Sequence, residues 1–330
     1  PDMHMGIYDW AIIFDHQERK TVLIAQHKDP KTKDIISFIE NRFMSHKELI
    51  QESFQPLDPF KSNMDYSQYN HAFQKIKKHL HSGDCYQINL TQRFSTTLNE
   101  HSWSTYQYLR QKNPAPYSAY ISLEEGSILS FSPERFLQVR DHQVETKPIK
   151  GTRPRSADLD KDKMLKDELQ HSEKDKAENL MIVDLLRNDL GKNCIPGSIK
   201  VPKLFNIETF TTVHHLVSTI TGTLRPNKHS LDLLRDCFPG GSITGTPKIR
   251  AMEIIEELEP HRRSVYCGAI GYISFDGDMD TNIAIRTLIQ DKDQLHCSAG
   301  GAIVADSELQ SEYGACLVKI KKITEALTVE

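Results

Sequence analysis

Polar and apolar positions along the chain follow two periods. Tyr69, Phe73, Ile76 and Leu80 recur at helical spacing and predict a helix over 66–81, with Gly83 as its stop. A second helical pattern runs from Asp158 to Leu190 and ends at Gly191, a natural C-cap. Thr246-Pro247 supplies cap chemistry for a helix that closes before Pro260, and a last helix starts near Ser307, with Gln310 completing a capping box.

Alternation marks the strands. Gly6–Phe14, a polar turn over Asp15–Arg19, and Thr21–His27 read as a hairpin, followed by a polar stretch over 29–64, with Pro30, Pro56 and Pro59, that reads as helix plus connector. Short strands are expected over 118–123, 127–131, 135–140 and 143–147, and another over 213–222. Val265–Phe275 and Thr281–Gln290 flank the turn Asp276-Gly277-Asp278 as a further hairpin. Hairpins outnumber strand–helix alternations, so the pattern predicts an α+β fold with large, mainly antiparallel sheets, in one domain over 1–330.

Charge and composition narrow the function. With 41 Lys and Arg against 45 Asp and Glu, the 330 residues carry a formal charge of -4, which gives no general attraction for nucleic acid or an anionic bilayer. No apolar run approaches the roughly 20 residues of a membrane span. Six cysteines stand far apart without a CxxC pair, the usage of a reduced cytoplasmic chain. The 15 histidines include no HExxH, so no transition-metal enzyme is expected.

Several residues carry candidate chemistry. If Asp141-His142 is a two-residue turn, Glu134 falls opposite Ile149, and a three-residue turn places it opposite Lys150. Either register puts a carboxyl and an amine at one end of a hairpin, as proton donor and nucleophile or as a plain cross-strand ion pair. Glu178 shares a helical stripe with Ile182 and Leu185, which calls for a hard cation or a salt bridge to Arg187 or Arg250. Glu312, Ala315 and Lys319 share one face of the last helix, a binding face or a solvated one. In Val213-His214-His215, one histidine points outward and the other inward. Phe238–Lys248 lacks the Gly-Lys-Ser/Thr ending of a nucleotide loop, although a helix N-terminus there suits a carboxylate. Ser298–Ala302 allows close backbone approach, and Arg286 in an apolar strand suits a carboxylate partner.

Taken in order, Ser132-Pro133-Glu134-Arg135-Phe136, Pro148–Thr152, Ala177–Arg187, His215–Ser218, Pro239–Met252, Tyr266–Gly271, Arg286 and Gly300–Ser307 resemble the chorismate-utilising enzymes. The resemblance covers residues 6–325. It implies a sandwich of two large antiparallel sheets with outer helices. Lys150 before Gly151-Thr152, where other branches carry Ala, is similar to the branch that aminates chorismate at C4 to 4-amino-4-deoxychorismate for folate. The anthranilate-forming branch and a catalytically impaired chorismate binder are the alternatives.

The resemblance also implies roles. Mg2+ would sit on Glu178 and Glu312, with Asp175 in support, and grip the ring carboxylate, which Lys319 also supports. Glu134 would act as general acid and Lys150 as nucleophile, while His215 lines the ring. Arg286 and Tyr272 would hold the enolpyruvyl carboxylate near the Gly301 amide, with Thr246 also on the substrate. Ammonia would come from a separate glutamine amidotransferase subunit. Two departures stand out: Ala315 occupies a position where the family carries a metal-binding Glu, and the usual N-terminal segment before Gly6 is expected to be lacking.

Overall fold

The computed structural model describes residues 2–45, 57–98 and 102–328. Two compact units divide the chain, Pro1–Ser53 and Phe54–Glu330. In the first, β1 (Trp10–Asp15) and β2 (Lys20–Ala25) form the expected hairpin, and Asp15 accepts the backbone N–H of Gln17 and Glu18 in its turn. Helix α1 (Thr32–Met44) follows, tied to the hairpin through the Asp9 carboxylate, which takes the Thr32 hydroxyl and the Lys28 and Asp29 amides. Connector residues 46–56, with Pro56, lie outside the described residues.

Two large antiparallel sheets make up the second unit. The first runs β12 (Gly245–Thr246), β4 (Gln87–Thr97), β16 (Gln294–Ile303), β15 (Thr287–Asp291), β6 (Gly126–Ser132), β5 (Tyr117–Ser122), with β3 (Lys61–Ser62) also on β4. The second runs β10 (Lys200–Thr209), β11 (Val213–Thr223), β8 (Gln143–Thr146), β7 (Arg135–Arg140), β14 (Met279–Ile283), β13 (Ala269–Ile273), with β9 (Ile149–Pro154) also on β11. This is the α+β architecture that the hairpin pattern predicts.

Helices cover the sheets wherever an apolar face needs burial. Phe136, Val144 and Ile220 of the second sheet pack on Ile182 and Leu186 of α5 (Glu173–Gly191) and Leu233 of α6 (Ser230–Cys237). In the first sheet, Phe94, Leu129 and Leu288 meet Leu109 of α3 (Ser102–Lys112) and Ile320 and Ile323 of α8 (Leu309–Leu327). Ile88, Leu90 and Ile303 meet Phe73 and Ile76 of α2 (Tyr66–His81) and Ile254 of α7 (Lys248–Leu258). Each such side chain contributes about 1.5–3 kcal/mol on burial, and truncating Ile76, which is fully buried, to Ala would cost about 2–5 kcal/mol. Helix α2 has the predicted bounds because Asp65 and Gln68 form a capping box at its start.

The β7–β8 hairpin settles the register. Arg140 pairs with Gln143 and Val139 with Val144, so Asp141-His142 is a two-residue turn. Both turn residues have positive φ, 48 and 62 degrees, as a type I′ turn requires.

Five expectations are corrected. Helix α7 takes no cap from Thr246: its N-cap is Pro247, no side chain caps it, and the Thr246 hydroxyl has no partner among the described residues. The long helical pattern is two helices, α4 (Leu159–His171) and α5, because the Ser172 hydroxyl accepts the Asp175 amide and caps a new start. Thr281–Gln290 is not one strand: it leaves the second sheet at Ile283 and enters the first at Thr287. Ser307 forms no capping box with Gln310; its hydroxyl donates to Glu312 Oε1 at 2.8 Å. His214 faces away from His215 but is not exposed, because α4 covers it and Asp162 Oδ1 lies 3.1 Å from its Nε2.

Besides the longer crossings through α6 and α7 that carry β12, the chain passes directly from strand to strand between the two sheets at two adjacent places, Pro133–Glu134 and Ala284–Arg286. They are laced together by Ile283 N–H to Glu134 O at 3.1 Å, Phe131 N–H to Arg286 O at 3.1 Å, and Ser132 Oγ to Ile283 O at 2.6 Å. Arg286 has φ of 50 degrees, the left-handed conformation a sharp exit needs. Among the described residues no helix is long and apolar enough to cross a membrane, and all six cysteines are buried and unpaired.

Candidate functional site

Glu134 and Arg286 thus sit on the crossings themselves. Glu134 is buried, and burial pushes its carboxyl above the usual range against the Lys150 ammonium, the Ser242 hydroxyl and the Ile149 amide, all of which favour the ionised form. The Ile149 contact is the one the two-residue turn implies. Ser242 approaches without a well-directed hydrogen bond of its own. Lys150 donates to the Ser242 carbonyl at 3.0 Å, so acid and amine converge on one short segment, Gly241–Ile243.

His215 completes this end. Its Nδ1 lies 2.8 Å from Thr152 Oγ1, and burial, reinforced by the Arg286 charge, brings its pKa down to about 4. The imidazole is therefore neutral at pH 7. Burial also works against the Arg286 charge, which Glu134 supports, and among the described residues the guanidinium side chain has no hydrogen bond.

The other end gathers carboxylates. Glu178 is raised first by burial, then by Asp175 and Glu312, against Lys150 and Lys174; among the described residues it has no ion pair. Glu312 is buried, takes the Ser307 hydroxyl, and lies 3.9 Å from Lys174 Nζ. Asp175 is turned to Arg153, 3.3 Å from its Nη2. Lys319 is exposed along much of its length, yet its ammonium donates to Gly300 O at 2.7 Å, and burial of the charged tip and the nearby Lys150 hold its pKa down. Across from it Gly301 leaves a gap: a Cβ there would lie 3.3 Å from Glu312 Oε2 and 3.6 Å from Lys319 Nζ.

Glu134, Lys150, His215, Arg286, Glu178, Glu312, Gly301 and Lys319 are thus linked in one polar cluster. Thr246 follows Ser242 on the same loop and pairs with Gln87, its buried hydroxyl without a partner. Tyr272 is not brought in: it is half exposed on β13 and bonded to Arg140 Nη2 at 2.6 Å. The sequence pattern missed Lys174, 3.9 Å from Glu312, and the role of Ser242 between Glu134 and Lys150.

Residues 1–325 match the chorismate binding enzyme family, and the chain belongs to it. Aminodeoxychorismate synthase component 1 of Escherichia coli is 51% identical over 327 residues, which cover 99% of this chain and 71% of that protein. The protein of the same name from Klebsiella aerogenes is 50% identical with the same coverage. Among solved structures, anthranilate synthase component I from Streptococcus pneumoniae superposes with a TM-score of 0.86 at 34% identity, over 96% of this chain and 72% of that one.

Proposed function

We propose that the protein aminates chorismate at C4 to 4-amino-4-deoxychorismate, using ammonia from a glutamine amidotransferase partner. The observation that carries this reading is an amine, Lys150, held beside a buried acid, Glu134, in a chain about half identical to two aminodeoxychorismate synthase components. The family match runs through both compact units, which supports one catalytic domain over 1–330. Six unpaired thiols support a cytoplasmic location.

The chemistry follows from the placement. Glu134 takes a proton from the Lys150 ammonium and passes it to the departing C4 hydroxyl as the freed amine adds at C2, both conjugated ring double bonds shift, and water leaves. Ammonia then adds at C4, both double bonds shift back, and the C2–N bond to Lys150 breaks with the surplus proton returning to the lysine, so the new amino group stands where the hydroxyl stood. Neutral His215 flanks the ring without adding charge, and the Arg286 guanidinium, which has no side-chain hydrogen bond among the described residues, binds the enolpyruvyl carboxylate.

A half-buried carboxylate, Glu178, that burial and the Asp175 and Glu312 charges raise and that has no ion pair among the described residues, beside the buried Glu312, is a donor set that fits a hard divalent cation. Glu178 and Glu312 would hold Mg2+, with Asp175 and Arg153 behind them; when bound, the cation supplies a positive anchor for the ring carboxylate. Lys319 supports that carboxylate from the side of Gly301.

Incubation of the protein with chorismate, ammonium and Mg2+ tests the reading. Consumption of chorismate without pyruvate release is expected. Pyruvate together with a fluorescent aromatic product would establish the anthranilate-forming reaction instead, and binding without consumption would leave only a chorismate binder.

A further inference from the structure

Behind the Gly241–Ile243 segment lies an ion pair that touches none of the reacting groups. Arg263 Nε and Nη2 meet Glu259 Oε2 and Oε1 at 2.9 and 2.7 Å, with both side chains buried. The rest of the guanidinium is committed to backbone: Nη1 donates to Ile243 O at 2.8 Å and Nη2 to Asn89 O at 2.9 Å. Glu259 Oε1 in turn accepts the Thr91 amide at 2.9 Å. One pair therefore clamps the segment to strand β4.

That clamp ends at Lys150. The Ser242 carbonyl, one residue before the one Arg263 holds, accepts Lys150 Nζ at 3.0 Å and Asn89 Nδ2 at 3.3 Å. Asn89 is itself fixed by Arg263 through its carbonyl and by its amide to Thr244 O at 2.8 Å. We propose that Arg263 and Glu259 are positioning residues for the reaction: they fix the carbonyl to which the Lys150 amine is tied, and so set the direction from which it attacks. The proposal rests on the reading of Lys150 as the nucleophile. A planar fork suits the place because one rigid group meets both Glu259 oxygens and the Ile243 and Asn89 carbonyls, whereas a lysine at 263 keeps the charge but cannot present that fixed bidentate geometry.

A double-mutant cycle on turnover per chorismate-binding site, with sites counted by calorimetric titration, decides the matter. Arg263→Lys should lower turnover about 10–100-fold in the native background, because small misplacements of a reacting group are costly. In the Lys150→Ala background the same change should cost less than about twofold, since the group it aims is gone. Equal fractional losses in both backgrounds, or none in the native one, overturn the proposal. If Lys150→Ala alone leaves turnover intact, the reading of Lys150 fails first, a distinguishable result that also removes the proposal. Should Arg263→Lys not fold by circular dichroism, Glu259→Gln, which keeps every heavy atom in place, goes through the same cycle with the same deciding outcomes.

Discussion

The two ends of the site treat charge in opposite ways. At the Glu134 end the acid is opposed by Lys150 and by hydrogen bonds, the histidine is neutral, and the amine is tied to a carbonyl. At the Glu178 end, burial and then the Asp175 and Glu312 charges raise the Glu178 carboxyl, and Lys174 Nζ stands 3.9 Å from Glu312. The acid and amine of one end answer each other, whereas the Glu178 carboxylate of the other has no ion pair among the described residues. Groups held by partners within the chain are placed in advance of a ligand, and a carboxylate without one favours a cation.

Removing the acid gives the largest expected effect. Glu134→Gln preserves shape and hydrogen bonding but cannot donate the proton, and turnover should fall about a hundred- to ten-thousandfold with chorismate affinity nearly unchanged. A native rate in steady-state assays would show that the Glu134 end is merely structural.

Next in size is a pH effect on stability. His215 titrates near 4 when folded against an ordinary value of 6.5. The unfolded chain binds the proton more readily, so stability is full above pH 6.5 and falls as pH drops toward 4, by about 3 kcal/mol from this group. Urea titrations between pH 7 and 4 should show that slope, and His215→Gln should flatten it; an unchanged slope would mean that the ring is hydrated and that this end is less closed than its packing indicates.

Glu178 tests the other end. Its folded pKa is raised, so its cost to stability is fully present at high pH and disappears below the unfolded value. Glu178→Gln should therefore raise stability at pH 7 without Mg2+, on the order of 1 kcal/mol, and abolish any rise in Tm on adding Mg2+. A lower Tm in metal-free buffer would reverse the contrast between the ends.

The smallest change is expected at Ala315, one turn after Glu312 on α8. Ala315→Glu adds an oxygen donor and should lower the Mg2+ concentration for half-maximal turnover roughly fivefold. If the variant needs more Mg2+ than the native chain, Ala315 does not face the cation.

What the sequence made legible was local. The Asp141-His142 hairpin left two registers open, but both put Glu134 beside Ile149–Lys150, because a short loop confines its flanking strands to one or two pairings. Helix α2 was legible for the same reason, its cap and its stripe lying within one stretch. Thr281–Gln290 was not: continuous apolar character fits a strand, but no local pattern tells that Ile283 and Thr287 belong to different sheets. Ser172 was likewise hidden, since its break costs no apolar periodicity and shows only in a hydroxyl turned to Asp175. Tyr272, expected beside Arg286, is instead half exposed and bonded to Arg140, a contact between strands that spacing along the chain does not encode. Ser242 and Arg263 depend on contacts between segments far apart in sequence, which spacing along the chain does not encode.

The paired crossings that carry Glu134 and Arg286 have a mechanical consequence. Points on a hinge line travel least when the bodies on either side rotate. Were one sheet to swing against the other as chorismate enters, the acid and the guanidinium would keep their separation, while Lys319 and Glu312 on α8 would sweep through the longest arc relative to Glu178 on α5. Such a swing would change the distance between Glu312 and Glu178 more than that between Glu134 and Arg286.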